Sequence, residues 1–270
     1  MTDSGGGLDG KQRAAYLERL GIERPPAPNA DALHRLHRAH LLAVPFENLS
    51  IHLGETIALD RDSVLDKLLA RRRGGFCYEL NGGLALLLEA LGYQVERVGA
   101  RAYGRAEIGP PFDHLALLVR GDDGTGTWLI DVGFGRDTPP PLRFDVREEQ
   151  VVDGGRYQLA DVPDGDVDLF IAGEPAYRIE RRSRVLADFV PTSWWQQTAP
   201  ESHFTQSTIC SRLTATGRTS ISGRTLIVTS GDTRTETPLD TDEELLAAYR
   251  DHFDVALDRV PEVRARSSDA

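Results

Sequence analysis

With 270 residues, 40% of them hydrophobic, the chain is long enough to bury one large core or two to three smaller ones. Its 42 acidic against 31 basic side chains leave a net charge of −11, a field that repels polyphosphate backbones, so nucleic acid is not an expected partner. The opening MTDSGGGLDGKQ has no secretory pattern and no apolar run nears the about 20 residues that span a bilayer, so the expected setting is the cytoplasm, away from membranes. A reducing compartment disfavours a lone structural disulfide between the two cysteines, Cys77 and Cys210, which leaves at least one free to act as a thiol.

In chain order, the first ninety residues read as helices. Asn29 is placed to cap a helix carrying Leu33, Leu36 and Leu41 that stops at Pro45. A second is expected from about Asp62 to Arg71, with Val64, Leu65, Leu68 and Leu69 inward. After Gly74 and Gly75, CYELNGGLALLLEALGY places Leu84, Leu87, Leu88 and Leu91 on one stripe that Gly92 ends. From Tyr93 the period changes to two. QVERVGARAY, HLALLVRG, TWLIDVGFG, GRYQLA, DLFIAG and AYRIERR are short runs bounded by Gly, Pro and Asp, the pattern of an antiparallel sheet or barrel, with the prolines at 139–141 as a rigid turn at its edge. Further strands, RTLIVTS among them, follow SWWQQTAPESHFT, and a last helix starts at Thr241, where Glu244 completes capping-box spacing.

Cys77 stands directly after the paired glycines and at the start of a helix, where unpaired N–H groups and the helix dipole favour thiolate over thiol. The glycines let backbone approach closely, so a substrate carbonyl can reach the sulfur with N–H groups near its oxygen. A small buried apolar residue is the commoner fate of a free cysteine, and on these features alone the two readings stand level. A nucleophilic cysteine needs a base, and the base an orienting group. His114 and Asp131 lie on consecutive strands. If Arg120 pairs with Thr127 across the hairpin, His114 falls opposite Gly133 and Asp131 is its diagonal neighbour on the same face, whereas a slip of one residue separates them. Alone, His114 reads as a core histidine and Asp131 as a turn cap; together with Cys77 they read as a site.

VPFENL at 44–49, RGGFCYELN at 73–81, His114 in DHLALLV and Asp131 in DVGFG resemble, in order and spacing across nearly the whole chain, the arylamine N-acetyltransferase family. The resemblance implies an α+β protein with a cysteine-protease-like triad: a helical bundle over 1–92 carrying Cys77, an antiparallel β-barrel over 93–195 carrying His114 and Asp131, and an α/β lid over 196–270. It implies acetyl-CoA as acyl donor, no metal, and a small aromatic amine or hydrazine as acceptor. It places Phe46, Phe134 and Phe204 around the acceptor, and Glu47 with Arg73 as a pair buttressing the cysteine loop. PPFDH before His114 and the stretch after 142 depart from the usual pattern. Related amide synthases share the blocks and close macrolactam rings on polyketides held by acyl carrier proteins, so acceptor size stays open.

Other signals carry less. His34, His37 and His40 recur at threes but turn by about 120° around a helix, which points to a packed or solvated His40 with two surface neighbours and not to a metal site. Arg71 to Arg73 read as a solvated helix end, Trp194 and Trp195 as core or interdomain packing, and Cys210 as buried and inert. The functional expectation is a ping-pong acyltransferase in which Cys77 takes an acetyl group that an amine then removes. An amide synthase, a thiol hydrolase or a transglutaminase-like enzyme keeps the same three residues with other partners, and an inactive binding module is weakest because all three positions are filled.

Overall fold

The structure, a computed structural model, describes residues 7–104 and 107–263. Helix α1 (Gly10–Arg19) opens on a capping box between Asp9 and Gln12. Helix α2 (Ala30–Ala43) is capped by Asn29, whose side chain accepts from Ala32 N at 2.9 Å, and ends at Val44 because Pro45 cannot continue it. Strand β1 (Phe46–Glu47) and helix α3 (Leu49–His52) follow. Helix α4 (Arg61–Leu65), capped by Asp60, passes into a π turn over Asp66–Ala70, where a regular helix was expected. The extra residue in that turn shifts the inward face, so Lys67 joins Val64, Leu65 and Leu68 inside while Leu69 moves to the margin. Helix α5 (Cys77–Ala90) is buried along most of its length, with Leu84, Leu87 and Leu88 among the fully enclosed side chains.

The period-two region forms an eight-stranded antiparallel sheet. Its strands are β2 (Gln94–Ala102), β3 (His114–Arg120), β4 (Trp128–Ile130), β5 (Leu142–Arg143), β6 (Gln150–Val152), β7 (Gly155–Asp161), β8 (Val167–Ile171) and β9 (Glu174–Arg184), in the order β5-β4-β3-β2-β9-β8-β7-β6. Its two edge strands are short, and the sequence pattern did not foresee them. They meet through one side chain: the Gln150 amide accepts from Arg143 N at 2.8 Å and donates to Arg143 O at 3.0 Å, so the sheet curls into a near-closed barrel. The prolines at 139–141 lead into edge strand β5.

Strand β3 is buried on both faces. Leu115, Leu117 and Val119 pack with α5 and the other N-terminal helices, while Ala116 and Leu118 join Val98, Leu129, Leu169 and Ile179 inside the barrel. Leu117↔Ile130, Leu118↔Leu129 and Val119↔Trp128 set the β3–β4 register, the one that puts Arg120 against Thr127 and His114 and Asp131 on a common face.

Helices α6 (Val190–Thr198) and α7 (His203–Gln206) lead to β10 (Ile209–Leu213), β11 (Gly217–Ser222), β12 (Thr225–Ser230) and β13 (Thr233–Pro238). These form a five-stranded sheet whose edge is β1, borrowed from the N-terminal part, in the order β1-β10-β11-β12-β13. Helix α8 (Asp242–Phe253) carries the expected Thr241–Glu244 capping box and packs Leu245, Tyr249 and Phe253 with Leu49, Leu53 and Cys210. Burial there pushes the Cys210 thiol well up. Trp194 and Trp195 are 57% and 40% exposed, not core. Helix α6 instead turns Ser193 and Gln196 inward. Among the described residues no helix is long and apolar enough to cross a membrane.

The Gln150 seam is open to test. Gln150→Ala removes two hydrogen bonds, each worth about 0.5–1.5 kcal/mol, so the protein is expected to lose about 1–3 kcal/mol of stability. Amide exchange at Arg143 should accelerate well beyond that loss if the seam opens locally, and unchanged exchange there would show that the edges hold without Gln150.

Candidate active site

The RGGFC loop lies along β1 and the Pro45 before it. Glu47 N donates to Gly75 O at 2.9 Å, and Phe46 and Gly75 form a parallel bridge. A Cβ on Gly74 would stand 1.8 Å from Pro45 O, and one on Gly75 2.4 Å from Glu79 Oε2. The close approach that demands glycine is therefore to the protein itself, to Pro45 and Glu79, and not only to a substrate carbonyl. Glu79 uses that space to accept from Phe76 N at 3.2 Å, capping α5 just ahead of Cys77. Cys77 is the first residue of the helix and is 4% exposed.

Four buried charges support the loop. Arg73 grips Glu47 with Nε and Nη2, both at 3.1 Å, and Glu47 Oε2 also accepts from Leu49 N at 2.6 Å. Lys67, brought inward on the π turn, reaches Glu79 at 2.6 Å and Glu47 at 3.7 Å. Two carboxylates and two cations thus neutralise one another away from water. Burial alone would raise Glu47, but Lys67 and Arg73 overcome it and hold its carboxyl low; at Glu79 burial prevails over Lys67 and the carboxyl is raised. Of the three consecutive arginines only Arg71 and Arg72 lie at the surface, paired with Glu55 and Asp254. Lys67→Met leaves the two carboxylates with one cation and is expected to cost about 3–5 kcal/mol. Adding Glu79→Gln, which keeps a capping amide, should recover much of that in a double-mutant cycle of chemical denaturation, and additive losses would show that the two groups are not coupled.

Asp131 lies one residue beyond β4, fully buried. Its carboxylate accepts from His114 Nε2 at 2.7 Å, Asn81 Nδ2 at 2.9 Å and Gly133 N at 2.8 Å. Asn81, one turn beyond Cys77 on α5, also donates to Leu115 O at 2.7 Å and accepts from Val132 N at 2.9 Å, so a single amide joins helix, strand and turn. Gly133 packs directly on the nucleophile helix, where a Cβ would fall 2.6 Å from Cys77 Cα. A carboxylate only accepts, so His114 donates Nε2–H to it, which leaves Nδ1 for Cys77.

Burial alone would lower the His114 pKa. The Asp131 charge and hydrogen bond, together with Cys77, outweigh it and raise the imidazole from 6.5 to about 10. At Asp131 burial would raise the carboxyl, and His114, Asn81 and the Gly133 N–H hold it low. Because the His114 pKa is raised in the folded state, its contribution to stability is complete below about pH 6.5 and is lost as the pH rises through about 10. Asp131→Asn removes the charge that raises the ring. NMR titration should then find His114 neutral near pH 8, where the wild-type ring is protonated, and an unmoved titration would remove Asp131 as the cause.

The three phenylalanines divide into two groups. Phe204, on α7, meets the Phe76 ring at 5.4 Å and the Phe46 ring at 6.2 Å between centroids. Phe134 meets His114 at 5.1 Å and Tyr177 at 4.8 Å. Gly135 joins the groups, since a Cβ there would contact the Phe46 ring at 3.9 Å. The Phe204 segment is tied down by polar bonds. Gln196 donates to Asp113 Oδ1 at 2.6 Å and accepts from Ser202 Oγ at 2.6 Å, Ser202 caps Phe204 N, and the Phe204 carbonyl accepts from Asn48 at 2.9 Å. This explains why α6 turns its glutamine inward and its tryptophans out.

Three residues of the site had no role in the sequence reading. Asn81 stands in the quoted RGGFCYELN, and its four-residue spacing from Cys77 was the available signal. Tyr177 on β9 packs its ring 5.1 Å from His114, and its hydroxyl, without a well-formed hydrogen bond, lies near Asp131; burial and that charge push its pKa well up. His37 is buried and donates to the Asp131 main-chain carbonyl at 2.7 Å, so it is not a surface neighbour of His40. His40 is buried too, bonded to Tyr16 at 3.2 Å, and His34 stands half-buried edge-on to Trp128.

A family model described as N-acetyltransferase matches residues 29–262. An arylamine N-acetyltransferase of Mycolicibacterium smegmatis is 34% identical over 250 residues, which cover 90% of this chain and 91% of that protein. The solved M. smegmatis arylamine N-acetyl transferase superposes with a TM-score of 0.84 at 32% identity, covering 93% of both chains. The Mycobacterium marinum arylamine N-acetyltransferase in complex with CoA gives a TM-score of 0.80 at 30% identity, covering 90% of this chain and 92% of that one. The chain is thus an enzyme of the acyl-transferring class. It belongs to the arylamine N-acetyltransferase family.

Proposed function

We propose that the chain moves an acetyl group from acetyl-CoA to the nitrogen of an aromatic amine or hydrazine, with Cys77 as nucleophile, His114 as acid and base, and Asp131 as the group that orients and charges His114. The observation that carries this reading is the buried Asp131–His114 bond at 2.7 Å beside Cys77, with the imidazole raised to about 10. A protonated ring next to the sulfur favours the thiolate, the form that attacks. Support for the donor comes from the M. marinum relative, solved in complex with CoA.

In the first half-reaction the Cys77 sulfur bonds to the acetyl carbon, the bond to the CoA sulfur breaks, and His114 gives its proton to the departing thiolate. In the second, the amine nitrogen attacks the Cys77 thioester, neutral His114 takes the nitrogen's proton, and Cys77 leaves as thiolate beside a reprotonated ring. Phe46, Phe134 and Phe204 are proposed as the apolar walls that hold a flat acceptor.

Intact-protein mass after incubation with acetyl-CoA tests the reading. One acetyl unit is expected on the wild type and on Cys210→Ser, none on Cys77→Ser, and an added aromatic amine should discharge it faster than water does. A folded wild-type protein that gains no acetyl unit would overturn the assignment, and equal loss in both cysteine variants would overturn the choice of Cys77.

A further inference from the structure

The β3–β4 ladder ends at Leu117↔Ile130, so the main-chain carbonyl of Asp131 lies past the last strand pair. A buried carbonyl there needs a donor from elsewhere. His37 provides one, with Nε2 2.7 Å from the Asp131 oxygen and both residues buried. A carbonyl only accepts, so the proton sits on Nε2. Burial pushes the His37 pKa down to about 4, overcoming the opposite pull of the Asp131 carbonyl and charge and of the Pro139 carbonyl, with His34 adding to the lowering. The ring is therefore a neutral donor across the neutral range. One turn to either side on α2, Leu33 and His40 are buried as well, and His34 is half-buried.

We propose that His37 is a positioning residue for acyl transfer: its bond to the Asp131 main chain fixes the angle at which the Asp131 carboxylate meets His114, and through it the charge on the ring that faces Cys77. The Asp131 side chain is held by α5, β3 and its own turn, whereas its backbone is held by α2, so His37 is the one connection between α2 and the acid among the bonds described. The inference rests on the roles proposed for Cys77, His114 and Asp131.

Two nearly isosteric variants separate the hydrogen bond from packing: His37→Gln keeps an N–H donor and His37→Met does not. Three quantities are read: alkylation of Cys77 by iodoacetamide near pH 7, the His114 NMR titration, and kcat and KM for transfer from acetyl-CoA to aniline. His37→Met is expected to slow alkylation by about 10- to 100-fold, the scale on which small misplacements act, to lower the His114 pKa, and to reduce kcat with little change in KM for aniline. His37→Gln should regain most of each. Met and Gln variants that behave alike in alkylation and in the His114 titration would reduce His37 to a space filler and overturn the proposal. The wild type offers an independent check, because a ¹⁵N spectrum near pH 7 must find the His37 proton on Nε2; a proton on Nδ1 overturns the proposal even if the Met variant fails to fold. Alkylation needs no acetyl donor. A chain that shows the Gln–Met difference but is never acetylated would keep the positioning role and lose the transfer reading.

Discussion

A carboxylate with no access to water must be met by hydrogen bonds on every side, and the arrangement around Asp131 follows from that requirement. Its donors come from separate parts of the chain: Asn81 from α5, His114 from β3, the Gly133 N–H from its own turn, and His37 from α2 to its main chain. The helices and the barrel must therefore be docked before the acid is satisfied. The same docking sets Gly133 against Cys77, where there is no room for a side chain. The contacts that join helices to barrel are thus also those that place the reactive group.

The two cysteines illustrate how strongly surroundings decide chemistry. Both are buried, and both sit beside charged groups. Cys210 lies in the core between α8 and the five-stranded sheet, where burial and the Glu47 charge raise its thiol with Arg73 and Arg212 opposing only in part. Cys77 stands at a helix start with an imidazole held protonated beside it. Position relative to one histidine, and not exposure, separates them.

Much of this was legible in the sequence because it rests on local rules. Asn29, Thr241 and Glu244 announce helix starts through side chains that bond their own backbone, and of the two β3–β4 registers that the hairpin left open the structure adopts the one that faces Arg120 with Thr127. What was not legible depends on partners far away in the chain. A two-residue strand such as β1 has no period to read and exists only because β10 lies beside it. His37 looked like a surface histidine because its acceptor is a carbonyl 94 residues on. Trp194 and Trp195 looked like core because nothing local says that Gln196 has Asp113 and Ser202 to bond, which turns α6 over. The π turn likewise answers to Glu79, across the buried pair with Lys67.

That buried set of four charges reaches beyond the single molecule. Glu47 comes from VPFENL, Lys67 from the π turn, and Arg73 and Glu79 from RGGFCYE, so neutrality links three separated stretches of sequence. Losing one member strands its opposite in the interior, whereas losing an opposed pair does not. Descent should therefore pass these residues on together or exchange them as matched pairs. The blocks by which such a chain is recognised then record the charge balance beneath the nucleophile as much as the chemistry above it.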